Sequence, residues 1–123
     1  MNRREKKVFI KKSNVLDLTP FRLLEHEKYN EFINVLLPRF NSKFPGAFFQ
    51  SLLASDRKFI KIKLDEFGSE TWNSIDGNTS VKQIITALRQ KFGEKIEPAE
   101  ERTGKFISML YEQRYISFTE LKD

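Results

Sequence analysis

Residues that could carry catalytic chemistry are scarce in this sequence. The 123 residues include no cysteine and a single histidine, which excludes thiol catalysis, disulfides, iron–sulfur clusters and cysteine-ligated zinc. His26 lies in the polar stretch 25–28, where we interpret it as a solvated turn residue, because a catalytic base needs a positioned partner. We therefore expect a protein that is not an enzyme and that uses no metal or other cofactor.

Two adjacent carboxylate pairs are the remaining candidates for acid–base chemistry. Asp65-Glu66 and Glu100-Glu101 both lie at predicted helix starts, where a negative charge stabilises the positive end of the helix by about 0.3–1 kcal/mol. The five glycines are scattered and form no phosphate-binding loop. Helix capping accounts for the carboxylates, so catalysis is not needed to explain them.

The positive charge is concentrated at the start of the chain. The formal net charge is +5, and residues 1–12 hold six bases and one acid, so the remainder is neutral overall. We interpret 1–13 as a basic tail and 14–121 as one folded domain. The tail is interpreted as a solubilising terminus, with contact to nucleic acid or anionic lipid as the alternative.

The apolar segments are too short for a membrane span. No apolar run approaches the ~20 residues that a spanning helix requires, and the apolar residues 8–10 are followed at once by two lysines, unlike a signal peptide. The sequence therefore predicts a cytoplasmic protein without a membrane partner.

The first half of the chain is rich in strand signals and the second half in helix signals. We predict strands over 15–24, 32–40 and 59–64, with a polar turn over 25–30 and a short helix within the connection 41–58. The apolar side of that helix is interpreted as core-facing, with a homodimer or partner surface as the alternative. Prolines at 20 and 38 indicate edge strands or early strand ends.

Three helices are predicted after the strands. The first begins at Asp65 and ends near 76–77. The second begins with a capping box at Ser80 and Gln83 and ends at Gly93. The third opens at Pro98 and runs to about residue 113. The fold class is therefore α+β, a three-stranded antiparallel sheet followed by a three-helix bundle, which is a winged-helix-like layout.

The third strand carries the clearest surface signal. In 59–64 alternation predicts a buried face with Ile60, Ile62 and Leu64 and a wet face with Phe59, Lys61 and Lys63. If this strand lies at a sheet edge, its lysines have two interpretations. They discourage aggregation at an open edge, or they flank a site where an extended peptide adds a strand.

A DNA-binding or regulatory function is the alternative that the winged-helix layout raises. In such proteins the third helix enters the major groove with its N-terminal end leading. Here that end carries Glu97, Glu100 and Glu101, which repel phosphates. We therefore do not expect nucleic acid as a partner, and only the basic tail supports this alternative.

The second half of the chain resembles the PqqD family. The resemblance is strong over about 59–118 and weaker over 14–40. It rests on the runs 62–72 (IKLDEFGSETW), 75–77 (IDG) and 80–84 (SVKQI). The phase continues through later apolar positions at 88, 92, 106–107, 110 and 115–116. Arg114 departs from the pattern, since many relatives have a helix-ending glycine there, and we expect the last turn to end differently. The connection 41–58 and the basic tail are longer than in the short members of quinone-cofactor pathways.

The resemblance implies a winged-helix-like recognition element for ribosomally synthesised, modified peptides. Such a module captures the leader of a precursor peptide, which pairs with the third strand and lies against the third helix. It presents that peptide to a modifying enzyme, often a radical-SAM maturase. The resemblance implies a groove lined by residues of both elements: Phe59, Lys61 and Lys63 from the strand, and Arg102, Lys105, Phe106 and Met109 from the helix.

Overall fold

The computed structural model describes residues 1–12, 14–38 and 59–121. The helix predicted within 41–58, and with it the candidate dimer surface, lies outside the described residues. Described residues form four α-helices and five strands, a mixed α/β fold. The chain divides into two compact units, which are residues 24–66 and the combination of 1–23 with 67–123. Each unit is described by itself.

The smaller unit contains a three-stranded antiparallel sheet. Its strands are β2 (His26–Tyr29), β3 (Phe32–Pro38) and β4 (Phe59–Lys63), in the order β2-β3-β4. The predicted three-stranded sheet is thus confirmed, but its first strand was predicted wrongly. Residues expected to form a turn at 25–30 instead supply β2, and the turn shrinks to Asn30 and Glu31, with Asn30 at φ 56°. Asparagine tolerates this left-handed conformation, so a tight two-residue hairpin can form.

The predicted strand over 15–24 is shorter and has a different partner. β1 (Pro20–Arg22) pairs antiparallel with β5 (Ile116–Phe118) in a separate two-stranded sheet. The preceding residues form a 3₁₀ turn, Val15–Asp17, whose start is capped by Asn14, since its side chain accepts from the Leu16 N–H at 3.0 Å. The side-chain cap of Asn14 stabilises the turn in place of an extended strand, so the strand is shorter than predicted. The strand that pairs with β1 lies near the other end of the chain.

The larger unit is built mainly from helices. They are α1 (Arg3–Lys12), α2 (Glu66–Ser74), α3 (Val81–Phe92) and α4 (Ala99–Glu112); residue 66 itself ends the smaller unit. The last three match the predicted helices. Their apolar stripes are buried, with Trp72, Ile84 and Ile107 all at 0% exposure. None of the helices in the described ranges has the length and apolar character needed to cross a membrane.

Local capping fixes where α3 begins and ends. The Ser80 hydroxyl accepts from the Gln83 N–H at 3.2 Å, and the Gln83 side chain accepts from the Ser80 N–H at 2.9 Å. This confirms the predicted capping box. Gly93 ends the helix with φ 65°, a conformation that glycine adopts without a Cβ penalty.

The end of α4 differs from the sequence expectation. Arg114 follows the helix with φ 65°, and its N–H donates to the Tyr111 carbonyl at 3.0 Å, while the Tyr115 N–H donates to the Leu110 carbonyl at 2.9 Å. These two bonds make a Schellman motif. The turn therefore closes in the left-handed conformation that glycine favours, although an arginine occupies the position.

Candidate functional site

Strand β4 lies at one edge of the sheet that the described residues form. Its only strand partner there is β3, with Lys63 opposite Asn34 and Phe59 opposite Pro38. The Leu64 N–H donates to the Ile33 carbonyl at 2.9 Å. Since backbone groups alternate along an antiparallel strand, residues 60, 62 and 64 direct theirs toward β3. Residues 59, 61 and 63 direct theirs to the other side, where an added strand would pair.

The side chains of β4 follow the predicted alternation only in part. Lys61 and Lys63 are exposed, as expected for the wet face. Phe59, predicted on the same face, is only 4% exposed, and Ile60, predicted in the core, is 40% exposed. The face assignment was therefore wrong at the start of the strand. A side chain at a strand end can be covered by chain beyond the sheet, which the alternation of one strand does not encode.

A polar cluster on this face was not predicted. Glu27 of β2 reaches across β3, and its Oε1 accepts from Lys61 Nζ at 2.9 Å and from Asn34 Nδ2 at 3.3 Å. Asn34 is only 5% exposed. The hydrogen bond from Lys61, and then that from Asn34, lower the pKa of Glu27 below its usual value. Glu27 was not predicted as a site residue because 25–30 was assigned to a turn. In β2, Glu27 and Tyr29 lie on the same face of the strand, as positions two apart do.

The two lysines of β4 therefore differ in their electrostatic surroundings. Lys61 shares its charge with Glu27, whereas Lys63 makes no salt bridge to any residue that the structure describes. Within the described part of the chain, Lys63 is thus the lysine of β4 whose charge no carboxylate pairs. The sequence treated the two lysines as equivalent.

On α4, aromatic packing holds Arg102 in place. Its guanidinium lies 5.1 Å from the ring centroid of Phe67, and its Nη1 donates to the Lys95 carbonyl at 3.0 Å. Phe67 in turn packs against Phe106, with centroids 5.9 Å apart and the rings tilted by 59°. Phe106 is half-buried. The rings of Phe67 and Phe106 thus form an apolar surface beside the guanidinium of Arg102. Phe67 was not among the predicted site residues.

The other two predicted residues of α4 are open to solvent. Met109 is 42% exposed, which suits contact with a variable apolar ligand, since methionine adapts its shape readily. Lys105 forms an i,i+4 pair with Glu101 at 3.4 Å, and its side chain is 78% exposed. An ion pair with that exposure contributes little stability, so Lys105 remains available to a ligand.

The structure assembles the predicted site residues as two sets. Phe59, Lys61 and Lys63 belong to the smaller unit, and the four residues from α4 belong to the larger unit. Within each set the side chains lie on one element and near one another. The groove that would join the two sets stays a prediction. Within the described ranges, no group of three or more potential metal ligands is arranged to hold an ion.

The start of α4 carries ionised carboxylates. Arg89 binds Glu97 through Nε at 2.8 Å and Glu100 through Nη2 at 2.7 Å. The hydrogen bond from Arg89 is the main cause that lowers the pKa of Glu97 to about 2, and the same contacts raise the pKa of Arg89. At neutral pH Glu97 and Glu100 are therefore ionised and share the guanidinium of Arg89.

Comparison with known families finds a match over part of the chain. The family model described as coenzyme PQQ synthesis protein D (PqqD) matches residues 52–116, just over half of the chain. The matched range contains β4, the helices α2 to α4 and all seven predicted site residues. Searches of curated proteins and of solved structures returned no match.

Proposed function

Because the chain belongs to the PqqD family, we propose that it is a recognition element, not an enzyme, that captures the leader of a ribosomally synthesised precursor peptide. Membership associates the chain with the biosynthesis of PQQ or of another ribosomally made, modified peptide. The captured leader adds a strand to β4, and the chain presents it to a modifying enzyme such as a radical-SAM maturase. The proposal places this work in the cytoplasm.

The observation that carries the proposal is the position of β4. It borders β3 on one side in the sheet of described residues, and residues 59, 61 and 63 direct their backbone groups to the other side. Strand addition uses this geometry, because main-chain hydrogen bonds supply affinity and alternate side chains supply specificity. Exposed Lys63 favours a leader with a carboxylate near that position.

The proposed site also includes the four predicted residues of α4, which would contact the same ligand. Phe106 and Met109 offer apolar contact, and Arg102, fixed over Phe67, offers a cation of defined position. A groove between β4 and α4 requires the winged-helix-like arrangement that the family resemblance implies, and that arrangement is part of the proposal. A peptide in this groove would make backbone bonds on one side and side-chain contacts on the other.

The alternative of a winged-helix DNA-binding protein gains no support from the family match. The acidic start of α4, with Glu97 ionised at neutral pH, also opposes the approach of phosphates. We therefore retain peptide recognition as the conclusion.

The first test is an NMR titration of the labelled protein with the leader of the precursor peptide whose gene lies nearest. Shifts concentrated at Phe59–Lys63 and at 102–109 would support the groove. Shifts confined to residues 1–12 would contradict it, because the peptide would then sense charge alone.

A second test distinguishes strand addition from side-chain binding without altering the protein. The leader is synthesised with single N-methyl groups at successive backbone amides, each of which removes one donor. Strand addition predicts a period of two, in which alternate methylations abolish binding and the intervening ones leave it intact, because only every second amide faces β4. A smooth dependence on position would contradict strand addition.

A further inference from the structure

A basic pocket of about 960 Å³ lies in the larger unit and is lined by none of the residues assigned to the leader site. It is bounded by α1, by the last residues of α4 and the turn after it, and by Leu23 and β5. Five cationic side chains line it: Arg3, Arg4, Lys6, Lys7 and Arg114. Glu112 is the single carboxylate among the described lining residues, whose net charge is therefore four positive.

Within the described ranges, these cations differ from several others in their ion pairing. Arg89 and Lys91 bind carboxylates within hydrogen-bond distance, and Lys61 binds Glu27. By contrast, none of the five cations of the basic pocket forms a salt bridge to another residue in 1–12, 14–38 or 59–121. Clustered like charges repel one another, so their concentration around one cavity favours an anionic ligand.

The lining of the basic pocket includes Arg114, the residue in the turn that follows α4. It adopts φ 65° within the Schellman motif that closes the helix. Arg114 brings a guanidinium to the pocket, and a guanidinium can bind a carboxylate through two parallel hydrogen bonds.

The lining of the basic pocket also includes apolar groups, which bear on the class of anion. Leu23 is 50% exposed, and Tyr111 stacks on Phe118 with centroids 5.2 Å apart. Ile116, although only 1% exposed, belongs to the same lining. A polyphosphate has no aliphatic group that could contact these residues, whereas an acidic peptide that interleaves carboxylates with apolar side chains fits both features.

We infer that the basic pocket docks an acidic, apolar-interleaved segment of a protein partner, and that this partner is the modifying enzyme. The inference rests on the proposed function for the identity of the partner. It assigns the leader to β4 and the enzyme to the basic pocket, which consist of different residues.

The test uses a fluorescently labelled 12-residue peptide of glutamate and aspartate with two leucines, titrated with the full chain. The variant Lys6→Glu with Lys7→Glu is expected to weaken binding at least tenfold. The matched control, Lys82→Glu with Lys95→Glu, changes the net charge equally on exposed residues outside the pocket and is expected to leave the affinity within twofold. Equal weakening by both variants would overturn the inference, since only overall charge would matter.

Arg114→Gly separates binding from folding. Glycine suits φ 65°, so the thermal midpoint is expected to rise or stay the same, while the affinity for the acidic peptide falls about threefold to fivefold, as for loss of an exposed ion pair. Unchanged affinity would exclude Arg114 from the site. A loss of both stability and affinity would indicate a structural role and contradict the inference.

Competitors identify the ligand class and keep the two surfaces distinguishable. Tripolyphosphate or anionic vesicles that bind more tightly than the acidic peptide would overturn the assignment to a protein segment. A saturating leader peptide is expected to leave the acidic peptide bound, since β4 and the basic pocket share no residue. If Lys61→Glu with Lys63→Glu abolishes binding of the acidic peptide, the site is β4 and the inference fails, while leader capture by β4 is unaffected.

Discussion

The contrast between Glu27 and Lys63 gives the sharpest prediction about leader binding. Glu27→Gln removes a charge that neutralises Lys61, while the amide oxygen can still accept from Asn34. Lys63→Gln removes the cation that makes no salt bridge within the described residues. An acidic leader should therefore bind more tightly to the first variant and more weakly to the second. Neither substitution removes a main-chain hydrogen bond to the leader, so the changes report side-chain charge alone.

The size of the effect follows from the exposure of the pair. The Lys61 and Glu27 side chains are 40% and 36% exposed, and an exposed ion pair contributes about 0.2–1 kcal/mol. In Glu27→Gln, Lys61 can pair with a leader carboxylate instead. The binding free energy should then become more favourable by about 0.2–1 kcal/mol, which corresponds to roughly 1.4-fold to fivefold tighter binding. Lys63→Gln loses a contact of the same kind and should weaken binding by a similar factor.

Isothermal titration calorimetry with the acidic leader measures both changes, at about 50 and 200 mM salt. The two effects should shrink together at higher salt, because the Debye length falls. A leader in which the carboxylates are replaced by amides is the control and should bind both variants and the parent protein alike. Weaker or unchanged binding to Glu27→Gln, with Lys63→Gln also unchanged, would refute the electrostatic reasoning and leave only backbone pairing.

Three further predictions concern stability. Ser80→Ala removes the hydroxyl that caps α3 and should lower the free energy of unfolding by about 1 kcal/mol, measured by urea denaturation with Lys82→Ala as a surface control. The buried Thr103 hydroxyl has no hydrogen-bond partner among the described residues, so Thr103→Val should raise the free energy of unfolding by about 1 kcal/mol; a decrease would mean that the hydroxyl is satisfied. Glu97 has its pKa lowered from 4.5 to about 2, so its stabilising effect is complete above pH 4.5 and is lost as the pH falls toward 2. Glu97→Gln should therefore destabilise the protein at pH 7 and make progressively less difference between pH 4.5 and 2, whereas a constant difference would contradict the pairing with Arg89.

The family was predicted correctly from the resemblance of local sequence runs. The differences in ion pairing and packing among the site residues were not predicted. All seven predicted site residues fall within the matched range, and β4 lies at a sheet edge in the described structure. The bridge from Glu27 to Lys61 crosses a whole strand, and the Arg102–Phe67 contact joins two helices. Neither was predictable, because both depend on which elements become neighbours.

The sequence by itself determined the elements whose stabilising contacts are local. The capping box at Ser80, the ending at Gly93 and the buried stripe of α3 follow from hydrogen bonds and side-chain spacing within a few residues. Tertiary structure alone decided the pairing of Pro20 with Phe118 and the assembly of the basic pocket from both ends of the chain. Such pairings join residues nearly a hundred positions apart. Their partners are chosen by how the whole chain closes and buries its apolar surface, which no short window of sequence encodes.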